Sequence, residues 1–341
     1  MIFDVIIIGS GPAGSATAIK CAQKGLKVVL IEAKEFPRSH PGETLHPGIE
    51  PLLNQLGVVE SVLNAGFLRH QGNWVEWESD RKFVTFGENE SEVWQGFQAW
   101  RADFDSILLN RAKNLGVKVL QPCLASTLLI NEGKIIGVET SQGVLKASKI
   151  VDASGGNHWL ARQLHLPINY HSPRLIAHYG YAQGECPKRD DAPAIVADTN
   201  GWTWTAKVKP QLYQWTRLSF DEQAMEKNWL PAEFEELNIE HKMRGADVTW
   251  RIVSQPAGNG YFLVGDAAMV LDPASSHGVL KAIMSGMMAG HLIASELLDK
   301  ITEQEAVLYY CEWINNWFRN DVEQLSKLYA MLPNPPTWVL K

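Results

Sequence analysis

Phe3-Asp-Val-Ile-Ile-Ile-Gly-Ser-Gly-Pro-Ala-Gly14 stands near the start of the chain and decides its fold. Phe3 to Ile8 is an apolar, β-branched run of the kind that forms a strand buried on both faces. Gly9, Gly11 and Gly14 follow with the spacing G-x-G-x-x-G. Gly9 permits a tight turn out of the strand, Gly11 lets a pyrophosphate approach the backbone, and Gly14 lets the next helix lie close on the strand. Ala16 to Lys24 reads as that helix, and Lys27 to Ile31 as a second strand ending at Glu32. The helix start would offer free N–H groups and a positive dipole end to a phosphate. Glu32 is placed to accept hydrogen bonds from ribose hydroxyls, and its charge would repel a 2′-phosphate. The stretch therefore implies FAD or NAD rather than NADP. A bare glycine motif says little; strand, turn, helix, second strand and acid in register say much more.

The 341 residues suffice for two domains and a sizeable core. Apolar residues at 45% and charged residues at 20% match an ordinary soluble protein, and the net charge of -7 argues against nucleic acid as a partner. No uninterrupted apolar run reaches the ~18 residues of a membrane span, so none is expected. A first strand starting at residue 2 or 3 is expected to leave no room for a signal peptide. Cys21, Cys123, Cys186 and Cys311 are scattered, without a C-x-x-C pair. They read as reduced thiols of a cytoplasmic protein, not as a disulfide frame or metal site. The 13 Trp are numerous for this length and read first as core and interface residues.

Lys34 to Gly48 holds three prolines and two glycines and leads into a helix, Ile49 to Leu56, closed by Gly57. Loops beside a dinucleotide site carry function, and Arg38, Glu43 and His46 are the polar groups this one offers. Short alternating runs at 73–77, 82–86 and 97–100 read as antiparallel strands. Arg101 to Leu115 is an amphipathic helix. Strands follow at 117–120, 127–130, 135–139, 144–147 and 149–153. A second sheet is expected from 175–183, 194–198, 203–208, 213–220 and 248–253, with a helical piece at about 222–237. Gly260 to Asp266 runs from strand into turn, and long helices span His277 to Leu298 and about Glu303 to Met331. The implied architecture is α/β. A Rossmann-type dinucleotide domain takes residues 1–65, 101–171 and 256–300, an antiparallel-sheet substrate domain takes 66–100 and 172–255, and a helical segment takes 301–341.

Three motifs in order, Gly9-x-Gly-x-x-Gly14 with Glu32, Trp100-Arg-Ala-Asp-Phe-Asp-Ser-Ile-Leu-Leu109, and Gly265-Asp-Ala-Ala-x-x-x-Asp-Pro-x-x-x-x-Gly278, resemble the FAD-dependent monooxygenases. Their relatives include geranylgeranyl reductases and flavin-dependent tryptophan halogenases. The resemblance implies a glutathione-reductase-like FAD domain with a sheet domain over the flavin. It assigns FAD contacts to Gly9, Gly11, Pro12, Ala13, Gly14, Glu32, Ala33, Arg38 and Glu43. Further along it assigns them to Arg101, Asp152, Gly265, Asp266, Pro273, Gly278 and Val279. The helix starting at Gly278 would face the flavin pyrimidine, its dipole favouring the reduced anion. Arg38 to Gly48, Asp272 to Gly278 and Gly201-Trp-Thr-Trp204 look halogenase-like. However, Ala206-Lys-Val follows where halogenases have Ile-Pro, and their catalytic lysine matches no position here. A closer-looking subgroup is the small flavoproteins that hydroxylate a precursor tryptophan in maturing quinone-cofactor oxidases.

The implied function is hydroxylation of an electron-rich aromatic, free or peptidyl, through a flavin C4a-hydroperoxide. Glu43, His46 and His277 are candidates to orient substrate or protonate the leaving peroxide, and Trp202 and Trp204 to wall the substrate site. O₂ is the co-substrate. With no second dinucleotide motif, NAD(P)H must bind transiently or a separate reductase must feed the flavin. A protein partner carrying the aromatic is also implied. The alternatives are an alkene reductase of the geranylgeranyl type, a halogenase and a non-catalytic flavin-binding partner protein.

Overall fold

The computed structural model describes residues 2–77, 80–88, 93–220 and 225–340. The N-terminal stretch folds as its pattern dictates: strand Ile2–Ile8, helix Pro12–Gln23 with proline in its first turn, and strand Val28–Ile31. Ile2–Ile8 lies at the centre of a parallel layer, flanked by Val28–Ile31 on one side and Gly143–Asp152 on the other. Lys118–Leu120 and Tyr261–Leu263 extend the layer outward. A hairpin, Ala125–Asn131 and Lys134–Thr140, adds antiparallel to the first half of Gly143–Asp152. That strand is continuous where the sequence suggests two. Its first half needs only the hairpin and its second half the central strand, so no break is required.

Helix Pro12–Gln23 is clamped against helix Gly278–Leu297. A Cβ at Gly286 would stand 2.3 Å from the Ala13 carbonyl oxygen, so only glycine allows this approach. Helix Gly278–Leu297 is long and apolar enough by composition to cross a membrane, although interrupted by polar residues; half of its most apolar window is buried in the fold. The expectation from uninterrupted apolar runs therefore missed a helix that its mean hydropathy picks out.

The second large sheet runs in the order Asn238–Ile239, Ile176–Gln183, Leu212–Ser219, Gly201–Lys209, Ala194–Asp198, Gly72–Glu76, Lys82–Thr85, with Arg244–Asp247 beside Ile176–Gln183. Two expected members sit elsewhere. Gly96–Gln98 joins Thr44–Leu45 and Leu68–His70 in a three-stranded sheet. The stretch expected as one strand at 248–253 begins irregularly, because Asp247 Oδ1 turns the chain by accepting from Thr249 N and Arg251 Nη1. Only Arg251–Val253 is strand, and it pairs with Ile168–Tyr170 and Met269–Val270. Of the helix expected at 222–237, residues 222–224 lie outside the described residues. The rest holds only a 3₁₀ turn, Ala232–Phe234, because Pro231 supplies no N–H to a helix.

Helix Glu303–Ala330 starts in a capping box between Thr302 and Glu305 and lays Tyr310, Ile314, Phe318, Leu325 and Tyr329 on the core. The four cysteines are free thiols.

Candidate active site

A cavity of about 840 Å³ runs from the N-terminal glycine turn to the face of the second sheet. That size suits a bound cofactor with room beside it. The turn itself is drawn tight. Gly9 has φ +100° and a Cβ there would meet the Ala153 carbonyl oxygen at 2.4 Å, while a Cβ at Gly14 would meet the Gly9 oxygen at 1.9 Å. Glu32 splints this turn: one oxygen accepts from Ser10 N at 3.0 Å and Ser10 Oγ at 2.8 Å, the other from Lys34 N at 2.9 Å. A carboxylate offers about four lone-pair sites, so capacity remains for a ribose hydroxyl.

Two arginines approach the turn and differ in what they have left to give. Arg101 Nε and Nη2 bind both oxygens of Asp105 at 2.8 and 3.0 Å, and its Nη1 donates to the Pro41 carbonyl at 2.8 Å. It therefore pins the loop that carries Glu43 and His46. Arg38 is the freer cation. Its Nε is buried with no hydrogen-bond partner, and its nearest carboxylates, Glu32 and Asp105, stand 3.9 and 3.8 Å away. Its Nη2 lies 3.3 Å from where a Gly11 Cβ would be. A guanidinium held only by two long ion pairs, with its Nε unbonded, beside an open glycine turn and a helix start is a fitting cradle for a diphosphate.

Glu43 is buried and ties the proline-rich loop to the second large sheet. It accepts from Tyr181 OH at 2.6 Å and from Gly42 N at 2.9 Å. Burial holds the Glu43 carboxyl above its ordinary range, against the Tyr181 hydrogen bond and the Arg101 charge. His46 lines the cavity and its Nδ1 accepts from Gly48 N at 3.0 Å, so the neutral ring carries its proton on Nε2. Burial, and then the His277 charge, lowers the His46 pKa. His277 precedes helix Gly278–Leu297 with its ring 6.1 Å from that of His46 and Nδ1 3.8 Å from Asp321.

Of the residues singled out in sequence, Gly9, Gly11, Pro12, Ala13, Glu32, Ala33, Arg38, Glu43, His46 and Arg101 line the cavity. So do Trp202, Trp204, Gly265, Asp266, Pro273, Gly278 and Val279. Gly14, Asp152 and His277 are not among the lining residues. Asp152 is consumed structurally, its oxygens accepting from Ser154 N and Leu160 N at 2.8 Å. Trp202, Trp204, Ile195, Ala177 and Val248 give the far half of the cavity an apolar wall.

Sequence reasoning missed several groups here. Asp105 had a signal, its i,i+4 spacing from Arg101. Tyr181 and Tyr329 carried none, since each reads as one aromatic in a buried pattern. Asp272 appeared only as part of a motif. It is fully buried, accepting from Trp250 Nε1 at 2.6 Å, Tyr329 OH at 2.8 Å and Ala274 N at 2.9 Å, and burial pushes its pKa up to about 6.

Fold and cavity define a Rossmann-type flavoprotein with a second sheet across the cavity from the glycine turn. The family described as "FAD binding domain" matches residues 3–305, and the chain belongs to it. It resembles the 1H-pyrrole-2-carbonyl-[peptidyl-carrier protein] brominase of Pseudoalteromonas luteoviolacea, at 29% identity over 92% of this chain and 82% of that one. It resembles the tryptophan 2-halogenase of Chondromyces crocatus at 28% identity, over 90% of this chain but only 64% of the relative. In fold it superposes on the myxobacterial chondrochloren halogenase CndH with TM-score 0.89 at 24% identity, covering 98% of this chain and 84% of that one. The protein is an FAD-dependent oxidoreductase.

Proposed function

We propose that the chain is an FAD-dependent monooxygenase that hydroxylates an electron-rich aromatic ring, an indole free or within a peptide. The observation that carries this reading is the composition of the cavity. Among its described lining residues the one lysine is Lys34, beside Glu32 at the dinucleotide end, while the substrate half is walled by Trp202, Trp204, Ile195 and Val248. A flat apolar ring fits such a wall. The halogenases that the chain resembles use a catalytic lysine, and none lines the substrate half.

Arg38, the 9–14 turn and the start of helix Pro12–Gln23 would hold the diphosphate. Glu32, splinted by Ser10, would take a ribose hydroxyl. Gly265, Asp266 and the start of helix Gly278–Leu297 would meet the flavin ring system. Bound FAD, when reduced, supplies the two electrons that activate O₂, one oxygen going to the ring and the other to water. Glu43, fixed by Tyr181, and His46, with its proton on Nε2, stand where a proton must be held or given. The apolar wall excludes water from the ring. Electrons come from transient NAD(P)H or from a separate reductase.

A second reading, halogenation of an indole or pyrrole, is favoured by what the brominase and the tryptophan halogenase are named for. One experiment separates the two. The FAD-loaded protein is photoreduced and mixed with ¹⁸O₂, bromide, chloride and either indole or a tryptophan-containing peptide, and products are weighed by mass spectrometry. The expected product carries one ¹⁸O and no halogen. A halogenated product overturns the hydroxylase reading in favour of the second, and a substrate alkene reduced anaerobically overturns both.

A further inference from the structure

Helix Glu303–Ala330 lies outside the matched family region except for its first turn. Most of its inner face is ordinary core. Tyr329, near its end, makes a different kind of contact. It is fully buried, and its hydroxyl accepts from Trp202 Nε1 at 2.8 Å while donating to Asp272 Oδ2 at 2.8 Å. Trp202 belongs to the second sheet, and Asp272 precedes the loop that enters helix Gly278–Leu297. Both line the cavity; Tyr329 does not. One hydroxyl from the C-terminal helix thus ties the substrate-side wall to the flavin-side loop.

The ring that carries this hydroxyl is itself held. Trp77 stacks on it with the planes 7° apart, and Trp250, Phe220 and Trp338 close on it with centroids 5.7, 5.2 and 6.1 Å away. Trp77 in turn donates its Nε1 to the Leu328 carbonyl at 2.8 Å. Such packing leaves no alternative rotamer for Tyr329. The N–H groups of Trp202 and Trp250 are both bound to partners within the chain.

We propose that Tyr329 is the specificity-determining positioning residue of the substrate half: by holding the Trp202 indole against Asp272 it sets the width of the slot and hence which flat ring enters. The proposal rests on the reading that the substrate ring binds against Trp202. Without the hydroxyl, Trp202 Nε1 loses its acceptor, Asp272 loses one of its donors, and the indole plane is no longer fixed.

The test uses the FAD-loaded protein and three probes, pyrrole, indole and carbazole, with Kd read from the perturbation of the flavin spectrum. Wild type should discriminate among the three by ring size. Tyr329→Phe should keep its FAD affinity, weaken indole about tenfold, and bring the three Kd values together. Trp202→Phe should act alike, and the double variant should show no further change, because both substitutions remove the same bond. A merely structural role would lower the melting temperature without moving the ring preference. Wild-type Kd values and ring preference in Tyr329→Phe, or single effects that add in full, overturn the proposal while leaving the hydroxylase reading intact. If Tyr329→Phe does not fold, Tyr329→Leu, which also lacks the hydroxyl, decides: loss of ring preference supports the proposal and its retention overturns it. A wild type that binds none of the three rings refutes the assigned substrate half, and the proposal with it.

Discussion

Arg38→Gln is the perturbation that most sharply tests how the cofactor is held. Arg38 is largely buried, its side chain 16% exposed, with Nε unpaired and no carboxylate closer than 3.8 Å. A guanidinium so placed gains a close hydrogen-bond partner for its Nε when an anion arrives. One charge-assisted hydrogen bond is worth about 1.5–3 kcal/mol, and about 1.4 kcal/mol is a factor of ten in affinity, so its loss costs roughly one to two orders of magnitude. The upper end applies here. Glu32 stays in place 3.9 Å from the lost charge and would then face the diphosphate without it, whereas Asp105 keeps Arg101. The assay is titration of the apoprotein with FAD and, in parallel, with riboflavin, which has the ring system without phosphates. Arg38→Gln should weaken FAD about a hundredfold and leave riboflavin unchanged, and the FAD affinity should depend less on salt than in wild type. Arg38→Lys should recover part of the loss. Equal losses for both ligands, or none for FAD, would refute the assignment of Arg38 to the diphosphate.

Three further outcomes are expected. Gly14→Val puts a branched side chain where even a Cβ would stand 1.9 Å from the Gly9 oxygen; the variant should lose the yellow colour of bound FAD or fail to fold, as absorbance and soluble yield will show. Glu43→Gln cannot accept from both Tyr181 OH and Gly42 N in the present geometry, so unfolding free energy should drop by about 1–3 kcal/mol in denaturant titration. Asp272 has a folded-state pKa of about 6 against 3.8 unperturbed, so the native state holds its proton more tightly; its contribution to stability is present at low pH and is lost as pH rises through that window. In Asp272→Asn the fall in stability between these pH values should be shallower, as denaturant midpoints across the window will report.

The cofactor half was legible because its instructions are local. Gly9, Gly11, Gly14 and Glu32 fall within one strand–helix–strand unit, and Gly9 and Gly14 meet backbone so closely that no other residue fits there. The substrate half was legible in outline, since period-two alternation marks strands such as Ala194–Asp198. Its partners were not, because alternation does not say which sheet a strand joins. Gly96–Gln98 and Arg251–Val253 went to small sheets for reasons of chain path, and the turn at Asp247 depends on Arg251 reaching back to it. The contacts that make the site are remote in sequence: Glu43 meets Tyr181 across 138 residues and Trp202 meets Tyr329 across 127. Neither pairing leaves a spacing to read.

The two arginines show why residue type at a motif position underdetermines a role. By resemblance, Arg101 and Arg38 are both expected at the FAD, with nothing in the motifs to separate their roles. The structure separates them by availability. Asp105, one helical turn after Arg101, takes two of its nitrogens in a planar fork and the Pro41 carbonyl takes a third, so its charge is spent on fixing the loop. That fixed loop is what delivers Arg38 to the glycine turn and Glu43 to Tyr181. On the proposed binding mode Arg101 would act on the cofactor through geometry, and Arg38 through charge. The distinction has a measurable form. Arg101→Lys, which loses the fork but keeps the charge, should weaken FAD and riboflavin alike, because it unpins the loop. Arg38→Gln should weaken FAD alone. If Arg101→Lys also spares riboflavin, both arginines meet the phosphates directly and the division of labour drawn here does not hold.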